Sequence, residues 1–152
     1  MKEKTKRIIL LIAICFVTLM VLFIALKLNE NRNYNLLSTS SIDKYLTEIK
    51  YDNISTHIIE NSNAIIYVSN SSEDSSKVFE KEFKKVIKKY NLENEIVYIN
   101  INDTNLVDPI YQNAPQLIFY KNGATQDIID CSTLKNYDSI VKELEERSVI
   151  ND

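Results

Sequence analysis

The chain has 152 residues, with 18 basic and 21 acidic side chains, a formal net charge of −3, one histidine, one glycine and two cysteines. That length is one domain's worth of material. One histidine and two widely separated cysteines leave no zinc or haem ligand set, so neither a metal nor any other cofactor is expected, and the acidic balance argues against a nucleic-acid partner.

Residues 8–26 are a run of 19 in which only Thr18 is polar and none is charged. As a helix with a 1.5 Å rise the run reaches about 28 Å, close to the ~30 Å hydrocarbon core of a bilayer. It reads as a single-pass transmembrane helix of the signal-anchor type. A cleaved signal peptide has an apolar region of about 7–15 residues that ends at a small-residue site, and Ile24-Ala25-Leu26-Lys27 offers no such site. Lys2, Lys4, Lys6 and Arg7 precede the run, whereas only Lys27 and Arg32 closely follow it. The positive-inside rule therefore makes residues 1–7 a cytoplasmic tail and places the chain from about residue 28 outside the cell membrane. Removing the five basic and one acidic residues up to Lys27 leaves 13 basic against 20 acidic, a net charge of −7. Such a domain does not dock electrostatically on anionic lipid, so lipid contact is expected through residues 8–26 alone. The abundance of Asn, Ile and Lys is that of an AT-rich bacterial coding sequence.

Residues 27–42 are polar and rich in Asn and Ser, as expected of a linker without regular structure. The folded domain is expected over residues 43–148. Residues 45–51 alternate in the manner of a first strand, and a short helix from about Asn53 or Ser55 places Ile54, His57, Ile58 and Ile59 inward. Ala64-Ile65-Ile66-Tyr67-Val68 is a continuous apolar run, as in a central strand buried on both faces. The polar loop after it, Asn70-Ser71-Ser72-Glu73-Asp74-Ser75-Ser76, supplies N-caps and acidic groups suited to a helix start. From Lys77 to Tyr90 the apolar positions Val78, Phe79, Phe83, Val86, Ile87 and Tyr90 recur at three- and four-residue spacing, with Glu80, Glu82 and five lysines read as the solvated face. Residues 96–101 form a third apolar strand. A capping loop at Asn102-Asp103-Thr104 and a short helix over residues 105–112 follow, with Pro109 in the opening turn.

Asn113-Ala114-Pro115-Gln116-Leu117-Ile118-Phe119-Tyr120-Lys121-Asn122-Gly123 is the most informative stretch. Proline can start a strand but has no N–H for the interior of a ladder, so the strand starts at Gln116. Asn-Gly after the apolar run signals a two-residue hairpin, because both turn residues take positive φ. Residues 125–130 then return antiparallel, and a last helix over residues 137–147 turns Ile140, Val141 and Leu144 inward. Strand and helix alternation ending in a hairpin is α/β order, with right-handed crossovers and a mixed sheet flanked by helices.

This order, the Ala-Pro-Gln-Leu-Ile-Phe-Tyr-Lys-Asn-Gly run and the spacing from Ile65 to Phe79 resemble thioredoxin over roughly residues 43–147. The resemblance implies a thioredoxin-like fold with Pro115 as its cis-proline, Lys121-Asn122-Gly123 as its hairpin and residues 77–90 as the helix after its active-site loop. In layout the chain is similar to small membrane-anchored thioredoxin-like proteins of the bacteriocin transport accessory type. Where those carry Cys-x-x-Cys, the aligned positions here are Glu73 and Ser76, or Ser72 and Ser75 in the register one residue earlier. Ser72, Glu73, Asp74, Ser75 and Ser76 thus form a degenerate active-site loop, and no catalytic residue is assigned. A carboxylate and a hydroxyl cannot attack or resolve a disulfide.

The resemblance also makes Ala114 and Pro115 the place where an extended partner chain docks. It implies a binding or accessory module without redox chemistry for an unidentified protein or peptide, secreted or in the membrane. The alternative is a thiol-disulfide oxidoreductase that works through one cysteine, Cys131, which could instead join two copies in a disulfide. Ser72, Ser75 and Ser76 lack a base, since His57 lies on an early helix, and Glu73, Asp74 and Asp103 lack EF-hand spacing.

Overall fold

The computed structural model describes residues 3–38, 40–102 and 108–151, and the side chains of residues 4–6, 8, 10 and 28–38 lie outside the description. The chain divides into two units, Met1–Leu37 and Ser38–Asp152. Helix α1, Glu3–Ser38, accounts for the first unit and ends one residue beyond it. Residues 29–38, expected as an unstructured linker, continue this helix, for they contain neither proline nor glycine to break it.

The transmembrane expectation for residues 8–26 is not met within the described residues, among which no helix is long and apolar enough to cross a membrane. The expected span includes Ile8 and Leu10, two of the side chains outside the description.

The second unit is a five-stranded sheet in the order β1-β3-β2-β4-β5. Its strands are β1 (Thr47–Glu48), β2 (Ile65–Ser69), β3 (Ile96–Asn100), β4 (Gln116–Lys121) and β5 (Ala124–Asp130). Helices α2 (Ile54–Glu60), α3 (Asp74–Tyr90) and α4 (Tyr137–Glu146) complete it. Strand β3 pairs in parallel with β1 and β2, and β4 runs antiparallel to β2 and β5.

Side chains alternate across β2, the most central strand. Tyr67 joins Phe79, Phe83, Val86 and Ile87 of α3 and Ile140 and Leu144 of α4 in one core. Ile66 and Val68 join Ile54 of α2, Ile118, Tyr111 and Tyr120 in the other. The period of two therefore puts a hydrophobic layer on each face, which is why the run read as wholly apolar.

Several bounds differ from expectation. The first strand shrinks to two residues because Tyr45 and Leu46 are held in a turn by N–H bonds to the Ile42 carbonyl, at 2.8 and 3.1 Å. Helix α3 starts at Asp74, three residues early, and Ile59 and Val78, expected inside, are exposed. Of the helix expected over residues 105–112, residues 105–107 lie outside the described residues, as do Asp103 and Thr104, and the remainder is a single 3-10 turn, Pro109–Tyr111.

The hairpin forms where Asn122-Gly123 placed it, with φ of 52° and 77°. A Cβ at Gly123 would meet nothing within 4 Å, so glycine is needed there for its φ and not for space.

Candidate functional site

The loop between β2 and α3 is an Asx turn closed on itself. Asn70 accepts the Ser72 N–H on Oδ1 at 3.1 Å and the Glu73 N–H on its carbonyl at 3.0 Å. Its Nδ2 donates to Glu73 Oε1 at 3.0 Å, and Ser75 Oγ donates to Glu73 Oε2 at 3.3 Å.

Each residue of the degenerate loop has its own place. Ser72 is exposed and bonds the Asn102 side chain. Asp74 opens α3 in an exposed 3.2 Å ion pair with Lys77. Ser76 is fully buried, and its Oγ accepts the Asn70 N–H at 3.2 Å. No side chain caps α3, since Glu73 stands at the N-cap without a capping bond and is held back by Asn70 and Ser75.

Ala114 and Pro115, joined by a cis peptide, meet this loop across an open groove of about 440 Å³. Gln112, Asn113 and Gln116 line it from the β4 side, Ile128, Asp130 and Ser132 from the end of β5, and Glu73 from the loop. The buried Pro115 has its carbonyl occupied by the Cys131 N–H at 2.9 Å. Among the described residues the backbone N–H and C=O of Ala114 have no hydrogen-bond partner. Of the five loop residues, Glu73 alone lines the groove with Ala114 and Pro115.

The β5 residues of the groove had no signal in the sequence: counting back from the hairpin would set Ile129 opposite Gln116, and a register shift between Phe119 and Tyr120 brings Asp130 there instead. The pairing sets Asp130 opposite Gln116 and therefore next to Pro115.

Cys131 is adjacent in sequence but points away from the groove. It is 0% exposed within the α3–α4 core, and its thiol faces the Ile129 carbonyl at 3.6 Å. Burial above all holds it well above the usual thiol range, so little reactive thiolate forms at neutral pH. In this conformation the Cys131 sulfur is not accessible to another thiol or to a second copy of the chain. His57 is half-buried on α2 with its ring toward the Asn61 side chain. Among the described residues no group of three or more His, Cys, Asp or Glu could hold a metal.

A second polar constellation lies beneath the loop, and the sequence reading had put its centre on the solvated face. Glu80 is 1% exposed. Its Oε1 accepts Ser69 Oγ at 2.6 Å, Ser40 Oγ at 2.7 Å and Tyr67 OH at 3.2 Å, and its Oε2 accepts Ser41 Oγ at 2.6 Å and Ser41 N–H at 3.0 Å. Burial first, and the Glu80 carboxylate second, hold the Tyr67 phenol well above its ordinary value. Residues 76, 80, 83 and 87 share one buried stripe of α3. That spacing was the available signal that Glu80 faces inward.

Solved structures of similar fold include several thioredoxins. Thioredoxin f2 of Chlamydomonas reinhardtii superposes with a TM-score of 0.56 at 13% identity, over 70% of this chain and 99% of that one. Mitochondrial thioredoxin 3 of Saccharomyces cerevisiae gives 0.51 at 14%, over 66% and 94%. The oxidised thioredoxin of Plasmodium falciparum gives 0.50 at 16%, over 67% and 97%. No protein-family model and no curated protein matches the chain. At these identities the likeness establishes a thioredoxin-like fold, and function has to be argued from the site.

Proposed function

We propose that the chain is a membrane-tethered, extracytoplasmic thioredoxin-like module that binds an extended polypeptide in the groove beside Ala114 and carries out no disulfide exchange. One observation carries the reading: the groove joins Glu73 to Ala114 and Pro115 and contains no thiol, while Cys131 is sealed in the core. The free N–H and C=O of Ala114 are what an added strand needs for main-chain pairing. An accessory role toward a secreted or membrane partner, as in the bacteriocin transport accessory type, is the form of this reading that the N-terminal segment favours.

Support for the tether comes from the uncharged run over residues 8–26 and from α1 itself. Its described large apolar side chains from Ile9 to Leu26 are 52–67% exposed, on every side of the helix. A helix apolar all round needs apolar surroundings. The basic residues of the N-terminal tail favour a cytoplasmic N-terminus.

The test uses the full chain in detergent micelles. Insulin reduction in the presence of dithiothreitol is expected to run at the rate without protein, and fluorescence anisotropy of a labelled, permanently unfolded polypeptide is expected to report binding. Ser132→Trp, which puts bulk into the groove from an exposed position, should weaken that binding at least tenfold. Insulin turnover that disappears with Cys131→Ser, or binding indifferent to Ser132→Trp, would overturn the reading.

A further inference from the structure

The occupant's charge is written into the groove lining. Of its nine residues, Glu73 and Asp130 are carboxylates, none is cationic, and Gln112, Asn113, Gln116 and Ser132 are neutral and polar. Lys77, in the first turn of α3, is directed to Asp74.

Both groove carboxylates are held only by neutral donors. Glu73 is met by Asn70 Nδ2 and Ser75 Oγ, and Asp130 Oδ1 accepts the Ser132 N–H at 2.9 Å. A carboxylate offers about four acceptor sites, so each retains capacity for a further donor. The bond from Ser132 keeps the Asp130 carboxyl below the usual carboxylate range, hence charged at neutral pH. Ile128, two residues before Asp130 on β5, also lines the groove and leaves 44% of its surface in water. The excess of 20 acidic over 13 basic residues beyond Lys27 adds a long-range field of the same sign.

We infer that the groove is selective for a basic, extended polypeptide segment, in which a Lys or Arg side chain meets the Glu73 and Asp130 carboxylates and a neighbouring apolar side chain covers Ile128. The inference rests on the docking function proposed above and specifies its ligand. Strand addition supplies sequence-independent affinity through the main chain, and side-chain contacts supply the selection. An acidic segment would bring a like charge against two carboxylates that have no cation to relieve it.

The experiment uses the full chain in uncharged detergent and three labelled, unstructured peptides that differ at one central position: Val-Lys-Val, Val-Gln-Val or Val-Glu-Val. Anisotropy titrations at low ionic strength are expected to rank them Lys, Gln, Glu, with roughly tenfold between the first and last, the scale of two partly exposed charge contacts. Raising the salt to about 0.5 M should collapse that ratio, because exposed charges are then screened within a few ångströms. Glu73→Gln combined with Asp130→Asn keeps both acceptor positions and should bring the Lys peptide down to the affinity of the Gln peptide. Three equal affinities that Ser132→Trp weakens would overturn the selectivity while leaving the docking function standing. No binding by any peptide, or binding indifferent to Ser132→Trp, would overturn both.

Discussion

Glu80 offers the sharpest test of how this fold is held together. Its three buried donors, Ser40 Oγ, Ser69 Oγ and Tyr67 OH, all converge on Oε1, whereas Oε2 serves Ser41, which is exposed. In Glu80→Gln the amide oxygen can take the Oε1 position and keep all three as neutral bonds, with its NH₂ turned to the solvent side. The loss is the charge assistance and, at the solvent edge, the acceptor of the Ser41 N–H, together about 1–2 kcal/mol. In Glu80→Ala the three buried hydroxyls lose their acceptor together and a cavity opens, a cost of about 3–5 kcal/mol. At about 4 °C per kcal/mol for a domain of this size, the midpoint should fall by roughly 4–8 °C for Gln and 12–20 °C for Ala. The assay is thermal unfolding of the full chain followed by near-UV circular dichroism of its tyrosines, which reports the folded unit. A Gln variant as damaged as the Ala variant, or an Ala variant within about 2 °C of the parent, would refute the reasoning.

Four further outcomes follow from the same coordinates. In a Cys15→Ser background, Cys131 should resist alkylation by iodoacetamide at pH 8 until denaturant is added, since the sulfur is buried; stoichiometric labelling of the native protein would contradict this. Stability should fall with alkali: Cys131, Tyr67, Tyr98 and Tyr111 are all held above their ordinary values, chiefly by burial, so the unfolded chain loses these protons first. Above the ordinary thiol value of ~8.5 the loss is about 1.4 kcal/mol per pH unit, and it steepens above ~10 as the tyrosines join, which urea midpoints measured from pH 7 to 11 would show. Asp130→Ala removes the acceptor of the Ser132 N–H and should cost about 1 kcal/mol near neutrality. Because the folded carboxyl lies below its unfolded value, that difference should be complete above pH ~4 and vanish as pH falls through the folded value. Gly123→Ala should cost about 1 kcal/mol, from φ alone, in chemical denaturation.

Local signals made the scaffold readable. Asn122-Gly123 set the hairpin and the pairing of Lys121 and Tyr120 with Ala124 and Thr125, beyond which an irregularity at Phe119 shifts the register by one residue, and an apolar run bounded by polar clusters set β2. Helix α3 followed from its repeat, yet the same repeat hid Glu80, because a glutamate on an amphipathic helix is ordinarily sorted by its charge to the water side. What overrode the charge is non-local: Ser40 and Ser69 lie 40 and 11 residues away, and no periodicity predicts that their hydroxyls converge on one carboxylate. The linker reading failed for a related reason. Ser40, placed in the linker, is 3% exposed because Glu80 draws it into the domain, and Ile42 beside it is 0% exposed in the α3–α4 core. The first strand was overextended because Tyr45 and Leu46 alternate like strand residues while their N–H groups close a turn.

The groove and the Glu80 constellation occupy opposite sides of one structural decision, the turn from β2 into α3. On the thioredoxin resemblance Ser76 falls at the second position of the thiol pair, and its hydroxyl helps close the turn by accepting the Asn70 N–H. A cysteine there would offer a poorer acceptor to that N–H. Glu73, at the first position on the same resemblance, accepts bonds from Asn70 and Ser75 and lines the groove. One turn along the helix, Glu80 ties β2 and the start of the domain to α3 through Ser69 and Ser40. The loop is therefore held by its own polar bonds, and under the proposed docking function its charge takes part in choosing what lies beside Ala114. That division of labour makes a preference for one charge in the ligand the expected consequence of how the loop is built, and the peptide titrations measure it directly.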